Sequence, residues 1–193
     1  MNKPKFRLTY NSPVILTFAA VCAVSLILSF ITNGASNRLI FVCYGHASLL
    51  DPLTYIRVFM YVFGHANVAH FAGNMTMLLL VGPIAEERYG SYNLCIMIFV
   101  TAVAGGILNM LFFSTGIIGA SGIVFLMIIL SAFTNMKKGE IPITLILIAA
   151  IYLGQEIYSG ITANDNVSHF GHLCGGVSGL AFGTVFYKKK FNN

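Results

Sequence analysis

Long apolar runs constrain this chain more than any other feature of its sequence. Hydrophobic residues make up 57% of the 193 residues, and only 9% are charged. Soluble domains carry about 25% charged residues, so most of this protein's surface cannot face water. A membrane-spanning helix needs about 20 apolar residues. Six such helices with short connectors use nearly the whole chain, which predicts an all-α, multi-pass integral membrane protein.

The apolar runs predict a single six-helix membrane domain over residues 13–187, with short basic tails at 1–12 and 188–193. The predicted spans are residues 13–32, 68–86, 92–113, 121–136, 141–158 and 169–187. The fourth run is short for a full crossing, so its start at Ser121 is expected below the membrane surface. The linker of roughly 35 residues after the first span is long for a compact protein but too apolar for disorder. We expect it to be partly embedded in the membrane interface.

Positive charges cluster at the ends of the predicted spans. With six spans both termini share a side, and by the positive-inside rule the more basic side is cytoplasmic. One side carries only Arg38 and Arg57. The other carries Lys3, Lys5, Arg7, Arg88, Lys137, Lys138, Lys188, Lys189 and Lys190. Both termini are therefore expected in the cytoplasm, as in a bacterial plasma membrane. The charges form no stripe, which argues against nucleic acid and favours the lipid bilayer as partner.

Polar residues inside apolar spans face the bundle interior or a water-filled cavity. They are His70 and Asn74 in the second span, Asn109 in the third, Ser121, Glu156 in the fifth, and His169 and His172 in the sixth. Serine, histidine and asparagine together favour acyl transfer over ion transport, which usually needs a buried carboxylate or basic relay. The hydropathy pattern also lacks the inverted repeat of many transporters.

Ser121 lies in the sequence Gly119-Ala120-Ser121-Gly122. Glycines on both sides permit a sharp loop-to-helix turn and close approach of a substrate backbone. A helix N-terminus supplies free N–H groups that can hold an oxyanion. A serine that only caps its helix is the alternative interpretation.

Histidine is the natural base for such a serine, because its pKa lies near neutrality. In the sixth span glycines recur every four residues, which predicts a helix backbone pressed against a neighbour. These glycines are Gly171, Gly175, Gly179 and Gly183. Helical phase does not choose between His169 and His172, and either one could instead bond a backbone carbonyl.

His70 and Asn74 are four residues apart and share a helix face. Both can donate hydrogen bonds to an oxyanion, although a pair that only links helices is the alternative. His65, five residues before His70, does not share that face and is interpreted as a loop or interface residue.

The remaining acidic residues and the cysteines are not expected to take part in catalysis or metal binding. Glu156 is expected to reach headgroup water, and Asp165 to be a solvated turn residue. The four cysteines are interpreted as small apolar core residues. HExxH and an intramembrane aspartate pair are both absent, so no metal or cofactor is expected.

Taken in order, these motifs resemble the rhomboid family of intramembrane serine proteases over about residues 55–183. The matching elements are Tyr55-Ile56-Arg57, His65, His70-x-x-x-Asn74, Glu86-x-Arg88-x-Gly90-Ser91, Gly119-x-Ser121-Gly122 and His172-x-x-Gly175-x-x-x-Gly179. The resemblance implies a six-helix bundle whose water-accessible cavity opens to the outer side. It also implies a serine–histidine dyad without a third acid.

The resemblance implies a role for each matching residue. Ser121 would be the nucleophile and His172 the base and acid, with His169 as the alternative base. His70, Asn74 and the Ser121 N–H would form the oxyanion hole, and Phe125 would pack on the catalytic imidazole. Gly119, Gly175 and Gly179 would support this site, while Arg57 and Glu86 would be structural.

The expected function is therefore a serine endopeptidase that cuts transmembrane protein substrates in or near their membrane segments. A catalytically silent rhomboid-like protein that binds client helices is the alternative.

Overall fold

A computed structural model of the protein describes residues 9–134, 136–162 and 169–191. These residues form α-helices and no β-strand. The helices are α1 (Pro13–Ile31), α2 (Pro52–Met60), α3 (Val68–Tyr89), α4 (Ser91–Phe112), α5 (Ser121–Ala132), α6 (Ile143–Thr162) and α7 (His169–Phe191). Asp165 lies outside the described residues, so its predicted place in a turn stays a prediction.

Four of the described helices, α1, α3, α4 and α6, are long and apolar enough to cross a membrane. The short fourth run gives α5, which ends at Ala132 and not at residue 136. Its 12 residues extend about 18 Å, well short of the roughly 30 Å of a bilayer core. At the other extreme, α7 continues to Phe191, so residues 188–191 of the predicted basic tail are helical.

The long linker between α1 and α3 contains ordered structure that periodicity alone did not predict. It holds a π-helical turn at Asn37–Phe41, α2, and a 3-10 turn at Tyr61–Phe63. Asp51 caps α2 by accepting a hydrogen bond from the Leu53 N–H at 3.0 Å. The buried Arg57 then ties the linker together, since it contacts Asp51 at 2.7 Å and donates to the Leu39 carbonyl at 2.9 Å. The Leu53 N–H and then the Arg57 guanidinium hold the pKa of Asp51 below its usual value.

The core of the protein surrounds α5. Seven of the 12 residues of α5 are buried, because α3, α4, α6 and α7 all pack against it. A helix that is apolar on every side is stable only when its neighbours cover it. The first residue of this central helix is Ser121, so the fold carries that serine into the interior.

Glu86 near the end of α3 caps the start of α1. Its two carboxylate oxygens accept the N–H groups of Val14 at 3.0 Å and Ile15 at 3.1 Å. The Ser91 hydroxyl donates to the same carboxylate at 2.7 Å. A buried carboxylate at a helix N-terminus is stabilised by these donors and by the helix dipole. Glu86 and Arg57 therefore both have structural surroundings. The four cysteines are free thiols, of which Cys22 and Cys43 are buried. Cys95 is exposed, so its interpretation as a core residue is wrong.

Candidate functional site

Ser121 is held at the N-terminus of α5 by a loop that the linker supports. The loop is tied down by a two-way backbone bridge between Cys43 and Ile117, with N–H to oxygen distances of 3.0 and 2.9 Å. Gly119 has a φ of +132°, which side-chain-bearing residues rarely adopt, and its N–H donates to the Tyr61 carbonyl at 3.0 Å. Partly buried Ser121 lines a small cavity of about 20 Å³ with Tyr61, Gly119 and Gly122.

α5 and α7 pack backbone to backbone immediately beside this serine. A Cβ atom at Gly122 would lie 3.0 Å from the carbonyl oxygen of Gly171, and one at Gly175 would overlap the carbonyl oxygen of Gly122. One turn further, a Cβ at Gly179 would lie 2.7 Å from the Ile129 side chain. The glycine repeat thus produces the close helix contact that the sequence predicts. Residues 171 and 172 are brought to the same end of the bundle as the start of α5.

The His172 imidazole stacks on Phe125, one turn after Ser121. The two rings are 4.6 Å apart at an angle of 7°. Phe125 is itself held edge-on by Tyr152 of α6, at 5.6 Å and 85°. Phe125 therefore lies between Tyr152 and His172, and its stacked ring restrains the plane of the His172 imidazole.

Glu156 contacts both histidines of α7 from α6. Its Oε2 atom lies 2.7 Å from Nδ1 of His169 and 2.9 Å from Nδ1 of His172. The first contact is a hydrogen bond. The second is a close contact without hydrogen-bond geometry at Nδ1 of His172, and it is an ion pair only when that ring is protonated. The whole Glu156 residue, backbone included, is only 9% exposed, so the expectation that it reaches headgroup water is wrong.

The same three side chains are potential metal ligands. One ligand atom from each of Glu156, His169 and His172 lies within 4.8 Å of the others. Two histidines and one glutamate form a ligand set that zinc enzymes use. The sequence did not predict this convergence, since Glu156 lies on a different helix from the histidines.

His70 and Asn74 flank the loop before Ser121. A Cβ at Gly119 would lie 2.7 Å from the His70 ring and 3.7 Å from Nδ2 of Asn74. Both side chains therefore face the turn that leads into α5. Asn109, by contrast, is engaged elsewhere, since its amide donates to the carbonyls of Cys43 at 3.2 Å and Thr115 at 3.1 Å.

His65 belongs to this cluster, although sequence reasoning set it aside. It is 0% exposed, its Nε2 lies 3.1 Å from Nδ2 of Asn74, and its ring centroid is 5.1 Å from that of His70. Burial, and then the neighbouring His70, lower the pKa of His65 to about 4. The prediction that His65 lies in a loop is confirmed, because α3 begins at Val68. Helical phase could not predict its contact with Asn74, because a loop residue has no fixed helical phase relative to α3.

The site thus combines a serine at a helix N-terminus, an oriented imidazole on the adjoining helix, and two hydrogen-bond donors beside the serine loop. These are the components of nucleophilic acyl transfer. Together with the apolar helices, these features indicate an integral membrane protein in which Ser121 and His172 lie on adjoining helices.

Comparison with known proteins assigns that protein to a family. A family model described as the Rhomboid domain matches residues 52–189. This chain therefore belongs to the rhomboid family, which confirms the resemblance seen in its motifs.

Three relatives illustrate the similarity. RHOMBOID-like protein 1 of Arabidopsis thaliana is 32% identical over 138 residues, covering 67% of this chain and 34% of the relative. Rhomboid-related protein 1 of Caenorhabditis elegans is 30% identical over 135 residues, covering 65% and 38%. Rhomboid-like protease 3 of Toxoplasma gondii is 25% identical over 181 residues, covering 88% and 66%. The chain thus spans about a third of the length of the first two relatives and two thirds of the third.

Proposed function

We propose that this protein is an intramembrane serine endopeptidase that hydrolyses peptide bonds in or near the transmembrane segments of membrane proteins. The observation that carries the proposal is the backbone contact between α5 and α7. Gly122 adjoins Ser121 and Gly171 adjoins His172. The two backbones are so close that a Cβ atom added at Gly122 would lie 3.0 Å from the Gly171 carbonyl oxygen. This contact supports a nucleophile and a base on neighbouring helix turns, in the roles proposed for Ser121 and His172.

In this mechanism the Ser121 hydroxyl attacks the scissile carbonyl carbon while His172 accepts its proton. The carbonyl oxygen becomes an oxyanion, which His70, Asn74 and the Ser121 N–H stabilise by hydrogen bonds. The intermediate collapses, the carbon–nitrogen bond breaks, and His172 returns the proton to the leaving amine. Water then attacks the acyl-serine, with His172 again accepting and returning a proton.

His172 is the proposed base, with His169 as the alternative, because its surroundings suit the task. Its ring is stacked on Phe125, one turn from the nucleophile. The negative charge of the Glu156 carboxylate, 2.9 Å from Nδ1, favours the tautomer that carries its proton on Nδ1, although the two atoms are not hydrogen-bonded. Nε2 then keeps a lone pair to accept the serine proton. His169 shares the same carboxylate but lies a turn nearer to the helix end.

The proposed arrangement in the membrane has six membrane helices. These are α1, α3, α4, α6 and α7, together with the shorter α5, which begins inside the membrane. Both termini are cytoplasmic in this arrangement, and the linker with α2 lies partly in the outer interface. Ser121 lies towards the outer side, below the membrane surface. The three relatives named above come from a plant, a nematode and a protozoan, so the bacterial plasma membrane stays a prediction from charge distribution.

Cleavage of a generic transmembrane reporter in liposomes tests the proposal. Wild type is compared with Ser121→Ala, His172→Ala and His169→Ala. We expect activity to disappear with the first two and to persist in the third. Loss of activity only in His169→Ala would assign the role of the base to His169, one turn before His172. Full activity in Ser121→Ala would contradict the protease proposal.

A fluorophosphonate probe separates the enzyme from the catalytically silent alternative. An active serine is expected to be labelled in wild type and unlabelled in Ser121→Ala. A folded protein that neither labels nor cleaves, but retains client helices in co-purification, would favour the silent rhomboid-like protein.

A further inference from the structure

We propose that Glu156, His169 and His172 form an inhibitory site for a divalent metal ion of the zinc type. Binding follows from the ligand cluster itself, whereas inhibition rests on the proposed role of His172 as the base. The cluster joins α6 to the first turn of α7. Its three side chains are largely buried, with exposed fractions of 12% for Glu156, 15% for His169 and 14% for His172.

The ligand types and their spacing suit zinc and related transition metals more than calcium or magnesium. Zinc prefers nitrogen and oxygen ligands in tetrahedral geometry, with bonds near 2.0–2.1 Å that set neighbouring ligand atoms about 3.3 Å apart. The two Nδ1 atoms lie 2.7 and 2.9 Å from Oε2 of Glu156, so these two distances would have to lengthen by about half an ångström. The third distance, between the two histidine ligand atoms, is no more than 4.8 Å and would also have to adjust. Calcium and magnesium require mostly oxygen ligands in larger number.

An ion can reach the cluster through a cavity between α4, α6 and α7. This cavity has a volume of about 380 Å³ and is lined by Glu156 and His169, together with the polar residues Asn109 and Thr115. Carboxylate, imidazole and amide groups on its wall suit a hydrated cation. The remaining position of a tetrahedral ion would be taken by water, as in other zinc sites with three protein ligands.

Metal binding at Nδ1 of His172 is incompatible with base catalysis by the same ring. A neutral imidazole that coordinates an ion through Nδ1 carries its single proton on Nε2. That nitrogen then has no lone pair with which to accept the proton of Ser121. The same carboxylate that favours the active tautomer in the free enzyme therefore contributes to a site whose occupation removes it.

Binding is measured first, on untagged, full-length Ser121→Ala protein, so that the result does not depend on activity. Cobalt(II) reports tetrahedral coordination by its visible absorption. We expect one equivalent of cobalt to give a tetrahedral band that Zn²⁺ displaces. Added Zn²⁺ should also raise the midpoint of thermal unfolding, because a ligand that binds the folded state stabilises it.

Two ligand variants and a matched control locate the site. In the Ser121→Ala background, Glu156→Gln and His169→Asn should each weaken cobalt binding by at least about tenfold, since even changes around a metal ligand have that effect. His46→Asn removes an exposed histidine of the linker and should leave binding unchanged. The midpoint of unfolding without metal shows whether each variant is folded.

Inhibition is measured separately on proteins that retain Ser121. Zn²⁺ should inhibit reporter cleavage by wild type, and a chelator should restore it. His169→Asn should need at least about tenfold more Zn²⁺ for half inhibition, relative to its own metal-free rate.

Each outcome has a distinct meaning. Absence of a tetrahedral cobalt band, or equal binding by His169→Asn and the parent protein, would overturn the metal site even if wild type cleaves its reporter. Specific cobalt binding without any Ser121-dependent cleavage would leave the metal site standing and contradict the proposed protease. Cleavage that Zn²⁺ does not slow, despite specific binding, would overturn the inhibitory role.

Discussion

At the scale of single residues, the candidate site is organised by buried polar neighbours. His65 lies beside Asn74, with 3.1 Å between ring and amide nitrogens, and Glu156 lies beside His172. An amide NH₂ can only donate, so His65 must accept through Nε2 and be neutral at that contact. A protonated ring would set two donors against each other inside the protein, which is unfavourable.

The buried His65 predicts a pH dependence of stability. Its pKa falls from 6.5 in the unfolded chain to about 4 in the fold, so between these values the unfolded chain binds a proton that the folded protein excludes. Stability therefore falls as pH falls through this window, by up to about 1.4 kcal/mol per pH unit. The measurement is the midpoint of thermal unfolding in detergent at pH 7 and at pH 4.5.

His65→Gln keeps an acceptor for Asn74 but removes the titrating group. Its midpoint should fall less than that of wild type between the two pH values. His46→Gln changes an exposed histidine and should behave as wild type does. Equal pH dependence in His65→Gln and wild type would show that His65 does not carry the effect.

At the scale of elements, the site depends on how closely α7 approaches α5. Gly175 leaves room for the carbonyl of Gly122, and Gly183 leaves room for the Phe133 ring, 2.5 Å from a Cβ at that position. Without water to drive helices together, packing in a membrane depends on such small residues.

Replacing Gly175 tests this contact. In Gly175→Ala the new methyl group overlaps the Gly122 carbonyl, and a backbone atom cannot move aside as a flexible side chain can. We expect the free energy of unfolding to fall by about 1–3 kcal/mol, with loss of reporter cleavage. Gly154→Ala on α6 meets nothing within 4 Å and serves as control. Similar stability of the two variants would contradict the close packing of α5 and α7.

Glu86 of α3 caps the N-terminus of α1, and a substitution at Glu86 tests this contact between the two helices. Glu86→Gln replaces one acceptor oxygen by an NH₂ group that faces a backbone N–H of Val14 or Ile15. Loss of a charged helix cap should lower the free energy of unfolding by about 1–2 kcal/mol. Unfolding in detergent is compared with Glu87→Gln, which changes an exposed neighbour. If both variants unfold at the same temperature, the cap has no measurable role.

At the scale of the whole molecule, the charge distribution predicts orientation. With both termini in the cytoplasm, the residues just before α1 and those of the linker lie on opposite sides. Asn11 and Leu50 are both exposed in the fold, Leu50 at 94%. Each can therefore carry a single introduced cysteine after the four native cysteines are replaced.

A membrane-impermeant maleimide applied to intact cells should label Leu50→Cys and spare Asn11→Cys. Asn11→Cys should become labelled only after the membrane is permeabilised. The reverse pattern would contradict the proposed orientation, and labelling of both in intact cells would contradict an uninterrupted first span.

The sequence by itself determined the membrane class, the family and the approximate positions of the helices. Apolar runs of about 20 residues are explained by the thickness of the bilayer, and they predicted the start of α1, α3, α5 and α7. The predicted helix boundaries were less accurate where the thickness of the bilayer does not set the length of the helix. α5 ends early because its neighbours, not lipid, surround it, and α2 in the linker was not predicted because its nine residues are too few for a clear periodicity.

Only the tertiary structure decided which polar groups lie together. His65 reaches Asn74 because a loop folds back over α3, and Glu156 reaches His169 and His172 because α6 packs on α7. Neither contact has a sequence spacing that would reveal it, since each joins side chains from separately placed elements. Helical phase orders residues within one helix, whereas the meeting of two elements follows from packing of the whole chain.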